Sequence, residues 1–390
     1  MKRSSPIFVL FFTIFIDLLG FGIIIPILGP YAKDVLHADG WVYGLIFGVY
    51  SFMNFVFAPV LGTLSDRKGR RPVLLITIVI AMVGHLLFSF SSSLILLFIA
   101  RMIAGIGSAN ISVANAYISD VTPPEGRAKA MGLIGAAFGL GFVFGPPVGG
   151  YIYEHLSFEY IGYLTAGLCL INFVLAWIYL PESIKERNTE NKFNFKNILN
   201  GLIEAGQNPK VNKFFVLFFI VIIAFSMMQS TVTLLFKDRY SLTASEGSYM
   251  FAYVGFLMAI VQGFFIGFFS KRLGESKMLL IGSIGMGLGL ALIPFGPFYM
   301  QFIYFAIIAV SNGMIGPAIN SLISKNADPT KLGQIMGANQ SFGSLSRGLG
   351  PIIAGVLYDI NYTFPYLAAG LIMTVCFFTA FVVVKRPEGR

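Results

Sequence analysis

Charge is scarce in this chain. Of its 390 residues only 12% are Asp, Glu, Lys or Arg, about half the share usual in soluble globular domains. A water-soluble globule is therefore excluded, and the 56% apolar content points to an integral membrane protein. Cysteine is almost missing: Cys169 and Cys376 both lie in apolar segments, which excludes a disulfide framework and gives no metal cluster. No Walker-type phosphate loop occurs, so direct ATP drive is excluded, and no nucleophile with a partner base suggests an enzyme. No cofactor is expected. The net charge of +9 does not indicate nucleic-acid binding, because the cations sit in loops rather than on one face. The N-terminus looks superficially like a signal peptide, but its apolar run from Ile7 to Leu28 is too long and lacks a small-residue cleavage site, so a retained first helix is expected.

Long apolar runs are present in quantity. A spanning helix needs roughly 20 apolar residues, and on that criterion the first half gives spans at Ile7–Gly29, Trp41–Leu64, Pro72–Ser91, Leu94–Ile118, Arg127–Tyr151 and Tyr160–Leu180. The second gives Asn212–Phe236, Ser248–Ser270, Lys277–Phe295, Phe298–Ser324, Lys331–Tyr358 and Phe364–Val384. The expected fold is an all-α membrane protein of twelve transmembrane helices in two six-helix bundles, residues 1–181 and 212–390, joined by a polar linker, 182–211. Between the second and third spans, Gly62-Thr-Leu-Ser-Asp66-Arg67-Lys68-Gly69-Arg70-Arg71 packs five charges into six residues. Basic loops of this kind stay cytoplasmic. Most other cations follow suit, with only Lys33, Lys237 and Arg239 on the opposite side and Arg101 and Arg347 within the membrane, so a multi-pass protein of the inner cell membrane with both termini cytoplasmic is expected.

The basic loop has a counterpart 205 residues on, at Gly267–Ser276. The same offset carries Asn115 to Asn320, Ser119 to Ser324, Pro124 to Pro329, Gly145-Pro146 to Gly350-Pro351 and Gly150 to Gly355. It joins one cytoplasmic loop to another, so the two halves form a parallel repeat about an axis along the membrane normal.

Loop, spans and parallel halves together resemble the major facilitator superfamily over essentially the whole chain. Gly62, Asp66, Arg67, Gly69, Arg70 and Arg71 match its signature loop, and Leu97, Arg101, Gly105 and Ala109 its fourth-helix pattern. Asp17, Gly20, Gly22, Pro26 and Leu28 are similar to the first-helix pattern of twelve-span drug/proton antiporters. Gly141, Gly145, Pro146, Gly149 and Gly150 match the fifth-helix pattern associated with export. Within that branch the chain is similar to the tetracycline-efflux group, with one departure: those exporters carry a third-helix carboxylate where this sequence has Gly84 followed by His85.

Asp17 is the only carboxylate well inside a predicted span. It lies about 15 Å along its helix, near the bilayer midplane, where an ionisable group costs about 2.5–3.5 kcal/mol and faces a cavity or a partner. It either exchanges a proton or, held neutral, ties two helices together; the resemblance implies the former. Arg101 is its expected partner, in a proton-exchange pair or a static one. Gly141, Gly145 and Gly149 share one helix face, read as a packing surface and, with the export pattern, as an interface between the halves that resists leak. Asp66 is expected in a cytoplasmic charge cluster with Arg67, Arg70 and Arg71, facing the positive end of a helix from the other half. His85 is a relay, a substrate contact or a packing residue. Arg347 attracts an anionic substrate group or neutralises a helix end. Forty Phe and fifteen Met provide adaptable apolar surface. Superfamily geometry places helices one, four, seven and ten at the central cavity, which nominates Phe225, Met227, Met228, Gln229, Asn312 and Asn320, with Gln262 of the eighth helix beside them. The expected function is proton-coupled export of amphipathic drug-like small molecules by alternating access, with protons, substrate and the lipid bilayer as partners, by a monomer. Export of one metabolite, such as a sugar, siderophore or amino acid, and a non-transporting membrane scaffold are the rival readings.

Overall fold

In the computed structural model, residues 6–122, 124–184, 211–328 and 332–385 are described, and every regular element among them is helical. The first half comprises α1 (Pro6–Pro30), a π turn (Tyr31–Val35), α2 (Gly40–Lys68), α3 (Arg70–Ser89), α4 (Leu94–Gly107), α5 (Asn110–Val121), α6 (Pro124–His155) and α7 (Phe158–Tyr179). The second comprises α8 (Asn212–Tyr240), α9 (Ala244–Ile260), a π turn (Val261–Phe265), α10 (Ile266–Leu292), α11 (Phe298–Asn326), α12 (Leu332–Ile360) and α13 (Phe364–Lys385). Most of the expected linker, residues 185–210, lies outside the described residues.

Among the described residues nine helical stretches are long and apolar enough to cross a membrane. One of them, Ala244–Leu292, runs for 49 residues. At 1.5 Å per residue that is about 74 Å, more than twice the thickness of a bilayer core. It turns at Gly274, whose φ of 72° a residue with a side chain adopts only under strain. The expected fourth span is divided in two: α4 ends at Gly107 and α5 starts at Asn110. Gly105, Gly107 and Ser108 weaken the helix there, and the Ser108 hydroxyl bonds Gly105 O at 2.9 Å, competing with the backbone ladder.

The chain divides into two compact units, which exchange short helix ends. Unit 1 contains Met1–Ala38, Leu45–Phe195 and the start of α9, Thr243–Ala252. Unit 2 contains Lys196–Leu242, Tyr253–Arg390 and the start of α2, Asp39–Gly44. The exchange follows the 205-residue offset. In unit 1, a methyl group added at Gly150 would lie 2.7 Å from Ser245 Cα; in unit 2, one added at Gly355 would lie 2.6 Å from the carbonyl carbon of Gly40. Unit 2 also holds the incoming end of α2 through the Gly40 N–H, which donates to the Asp359 carboxylate, and the Tyr43 hydroxyl, which donates to Ser230 O.

The repeat recurs at the ends of the helices with its charges inverted. In unit 1, Arg70 pairs with Asp66 at 2.5 Å and Asp120 at 3.1 Å and donates to Ser65 Oγ at 2.6 Å. In unit 2, the equivalent positions hold Glu275 and Lys325, paired at 2.6 Å, with Ser321 donating to Glu275 at 3.0 Å. The start of α3 is met by Glu182 from the same half, which accepts from the N–H groups of Arg70 at 2.9 Å and Arg71 at 3.3 Å. Gly69, with φ 105°, brings the chain against that carboxylate; Arg71 lies over the Trp177 ring at 5.4 Å; Arg67 is exposed and Gly62 faces open space. The hydrogen bond and charge of Lys325 hold Glu275 below the usual carboxylate range. That contribution is present above the ordinary carboxylate pKa and is lost as pH falls through the depressed one.

The Arg70 side chain is 10% exposed and the Lys325 side chain 60%. Arg70→Ala, which leaves Asp66 and Asp120 facing each other, is expected to cost about 3 kcal/mol, and Lys325→Ala less than about 1 kcal/mol. Thermal unfolding of the purified variants in detergent checks the order.

Candidate functional site

The interior of unit 1 is built on helices brought close by small residues. A methyl group at Gly141 would lie 2.9 Å from the Leu18 carbonyl carbon, one at Gly145 2.9 Å from Gly22 Cα, and one at Gly149 2.8 Å from the Ile23 carbonyl carbon. The glycine face of α6 therefore seats α1 of its own half, and the expectation that it forms an interface between halves is corrected for these three residues. The reason is steric: α1 offers Gly22 at the crossing, so the two backbones approach with no side chain between them. Pro146 packs on Gly22 as well, and Gly150 alone meets residues of the second half, Ser245 and Ser248. In unit 2 the equivalent Gly350 packs on Ile223 and Ser226 of α8, so the α1–α6 crossing has a counterpart in α8–α12.

Asp17 is held midway along α1 and is 7% exposed. Its hydrogen bond comes from Asn110 Nδ2 rather than from Arg101, the donor expected for it. The reason lies in the broken helix. Asn110 is the first residue of α5, and Arg101 sits nine residues earlier, about 13 Å along the axis. The Arg101 guanidinium, 1% exposed, lies over the Tyr50 ring at 4.4 Å, and that ring stacks on Phe21 at 5.1 Å. Tyr50 is within electrostatic reach of both Asp17 and Arg101. From α2, Asn54 Nδ2 donates to Ser108 O at 3.0 Å, satisfying a carbonyl released by the break. Neither Asn110 nor Asn54 is nominated by sequence reasoning; both look like ordinary helix residues until the interruption at Ser108 is known.

His85, 6% exposed, places Nε2 3.6 Å from where a Gly20 Cβ would stand, one turn from Asp17. Gly84 beside it turns the other way, against α4: an added methyl would lie 2.7 Å from Ala104 Cα and 2.9 Å from its Cβ. A carboxylate at position 84 has no room.

The remaining candidates belong to unit 2. Met227, Met228 and Gln229 are buried in α8, and Phe225 is half-buried. Gln262 lies in the π turn after α9. Asn312 Nδ2 faces Met258 Sδ at 3.8 Å, Asn320 Oδ1 accepts from Asn339 at 3.1 Å, and Arg347 donates to Ser344 Oγ at 3.1 Å. Asp17, His85 and Arg101 are thus gathered in one unit, and Phe225, Met227, Met228, Gln229, Gln262, Asn312, Asn320 and Arg347 in the second.

A buried carboxylate and guanidinium within helices long and apolar enough to cross a membrane define a helical membrane protein with an ionisable interior. The model of the Major Facilitator Superfamily matches residues 10–342 and again 214–390, and the chain belongs to that superfamily. Its relatives include the tetracycline resistance protein, class C, of Escherichia coli, 31% identical over 92% of this chain and 91% of the relative. Multidrug resistance protein 2 of Bacillus subtilis (strain 168) is 25% identical over 96% of this chain and 94% of its own length. Among solved structures, the human organic anion transporter MFSD10 (TETRAN) superposes with a TM-score of 0.75 at 22% identity, covering 97% of this chain and 100% of that one. The nucleoside transporter NupG superposes with a TM-score of 0.79 at 15% identity, covering 98% and 100%. At these identities the structural likeness shows the fold alone.

Gly84→Ala is expected to destabilise by about 1–3 kcal/mol through overpacking against Ala104. Gly167→Ala, in α7 with nothing within 4 Å of the added methyl, is expected to be neutral or stabilising by up to about 1 kcal/mol. Paired melting curves of the two variants check the difference.

Proposed function

We propose that this chain is a proton-coupled antiporter exporting amphipathic drug-like molecules across the inner cell membrane by alternating access, as a monomer with both termini cytoplasmic. The observation that carries the reading is Asp17, a carboxylate 7% exposed inside an apolar helix, with Asn110 as its hydrogen-bond donor and Arg101 nearby over Tyr50. A carboxylate so placed alternates between a protonated form, which suits its apolar surroundings, and an ionised form supported by the amide donor and a neighbouring cation. Protonation from outside weakens the hold on Asn110 and biases the access equilibrium; substrate leaves as the proton moves inward. Each inward charge gains about 2.3 kcal/mol per 100 mV of membrane potential. Relatives named for tetracycline and multidrug resistance support the substrate class. Position 84, closed by Ala104, argues against recognition of tetracycline through a third-helix carboxylate.

A second reading, export of one anionic metabolite, is favoured by Arg347, half-buried on α12. Inside-out vesicles bearing the wild type or Asp17→Asn, challenged with ethidium, tetracycline and candidate metabolites, decide between them. Substrate-dependent proton release by the wild type alone is expected, with several drugs active. Release with a single anionic metabolite supports the second reading. Proton-coupled efflux that survives Asp17→Asn removes the mechanism.

A further inference from the structure

Side-chain amides of unit 2 gather along one helix face that carries no charge. On α11, Asn312, Gly316 and Asn320 are spaced by four and share that face. All three are half-buried, whereas Gly313, Met314, Ile315, Ala318 and Ile319 between them are buried. The face is open at its centre: a methyl group added at Gly316 would meet nothing within 4 Å. A stripe of Asn inside a membrane helix is costly against lipid and faces protein or a cavity.

α9 runs beside this stripe and meets it in the same order. Met258 Sδ lies 3.8 Å from Asn312 Nδ2, and Val261 Cγ1 lies 2.8 Å from where a Gly313 Cβ would stand. Gln262 follows Val261, one turn beyond Met258, and so comes level with Gly316, one turn beyond Asn312. It sits in the π turn, half-buried, and makes no hydrogen bond among the described residues. Local π turns of this kind are frequent at functional sites.

α12 fixes the far end of the stripe. Asn339, 2% exposed, donates Nδ2 to Asn320 Oδ1 at 3.1 Å, and its own Oδ1 is buried with no partner among the described residues. Turning both amides over exchanges donor and acceptor and still leaves one end of Asn339 unpartnered. An unmet buried polar atom costs about 1–3 kcal/mol, so helix packing alone does not account for the pair. With its oxygen engaged, Asn320 offers Nδ2 as a donor, and Asn312 has only a thioether, a weak acceptor, for its own. The charges adjoining the face have partners of their own: Lys325 on Glu275 at 2.6 Å at the end of α11, and Arg347 on Ser344 two turns along α12.

We propose that this face is the part of the export site that takes a neutral polar group of the substrate, an amide or hydroxyl that both donates and accepts. This rests on the reading of the chain as an exporter of amphipathic molecules. Gln262, Asn312 and Asn320 make the contacts, and Asn339 is a positioning residue that holds Asn320 by its oxygen. Carboxamides suit the task because each offers an N–H and a carbonyl oxygen, and none carries the charge that a permanent cation would seek. Gly316 leaves the room in which the group is seated, and Met258 supplies adaptable apolar contact beside it.

Binding to the purified full-length protein in lipid nanodiscs is measured with chloramphenicol, a neutral amide with free hydroxyls, with its diacetyl ester, and with tetraphenylphosphonium, a cation without hydrogen-bonding groups. Gln262→Leu and Asn320→Leu are each expected to weaken chloramphenicol by about tenfold, to leave tetraphenylphosphonium within about twofold, and to narrow the preference for chloramphenicol over its ester. Asn339→Leu, which frees Asn320 to turn, is expected to act in the same direction more weakly. Melting temperatures and the retained tetraphenylphosphonium affinity exclude misfolding. Chloramphenicol binding that is unchanged in both Gln262→Leu and Asn320→Leu, or lost in parallel with tetraphenylphosphonium, overturns the proposal. A wild type that binds tetraphenylphosphonium but not chloramphenicol does so as well, and these results leave the export reading intact. A wild type that binds none of these compounds, and moves none in vesicles, overturns the proposal together with that reading.

Discussion

A carboxylate placed where no bulk water reaches must be held by other side chains, and the interior of unit 1 is arranged around that requirement. Asn110 reaches Asp17 because it begins a new helix. An uninterrupted span would have presented it at a different angle. The interruption in turn releases backbone carbonyls, and Asn54 from α2 meets one of them. One buried acid therefore entails a broken helix, and the broken helix entails a polar residue on a third element. The guanidinium of Arg101 lies over the face of Tyr50, whose ring stacks on Phe21, where a cation gains from the ring quadrupole.

The close helix crossings make this arrangement possible. The glycines of α6 let α1 lie against it along Leu18–Ile27, on the side away from α7 and its polar residues. On α3, Gly84 serves α4 while His85 serves α1. Neighbouring residues thus divide two jobs, close packing and polar chemistry, and a change of size at one is felt at the other. The second half keeps the packing, as Gly350 on Ile223 and Ser226 shows, without a carboxylate at the position equivalent to Asp17.

Much of this was legible in the sequence. Length and apolarity alone indicate membrane helices, and the 205-residue offset predicts packing that recurs in both halves. Asp17 and Arg101 stand out because charge inside an apolar run is rare. Their partners do not stand out. Asn110, Asn54 and Glu182 become meaningful only through contacts 112 residues apart, as between Arg70 and Glu182, or across a helix break whose position depends on competition between Ser108 and the backbone. The glycine face of α6 was legible as a packing surface, but periodicity does not say which helix it receives, and α1 rather than the other half fills it. The break between the eighth and ninth spans was legible in the glycines and charges of Gly267–Ser276, and it falls at Gly274, whose positive φ separates two helices.

The inverted pairs, Arg70 with Asp120 and Glu275 with Lys325, bear on how the two halves diverged. If they descend from one duplicated ancestor, reversing a single partner would have set two like charges against each other, so the inversion implies paired replacement or a neutral intermediate. What was inherited is the attraction, not the residues that make it. A position-by-position comparison of the halves scores both sites as mismatches, although each carries out the same task. Chimeras that move Gly62–Arg71 into the place of Gly267–Ser276, while leaving the end of the partner helix untouched, would unite Arg70 with Lys325 and recreate that unfavourable intermediate.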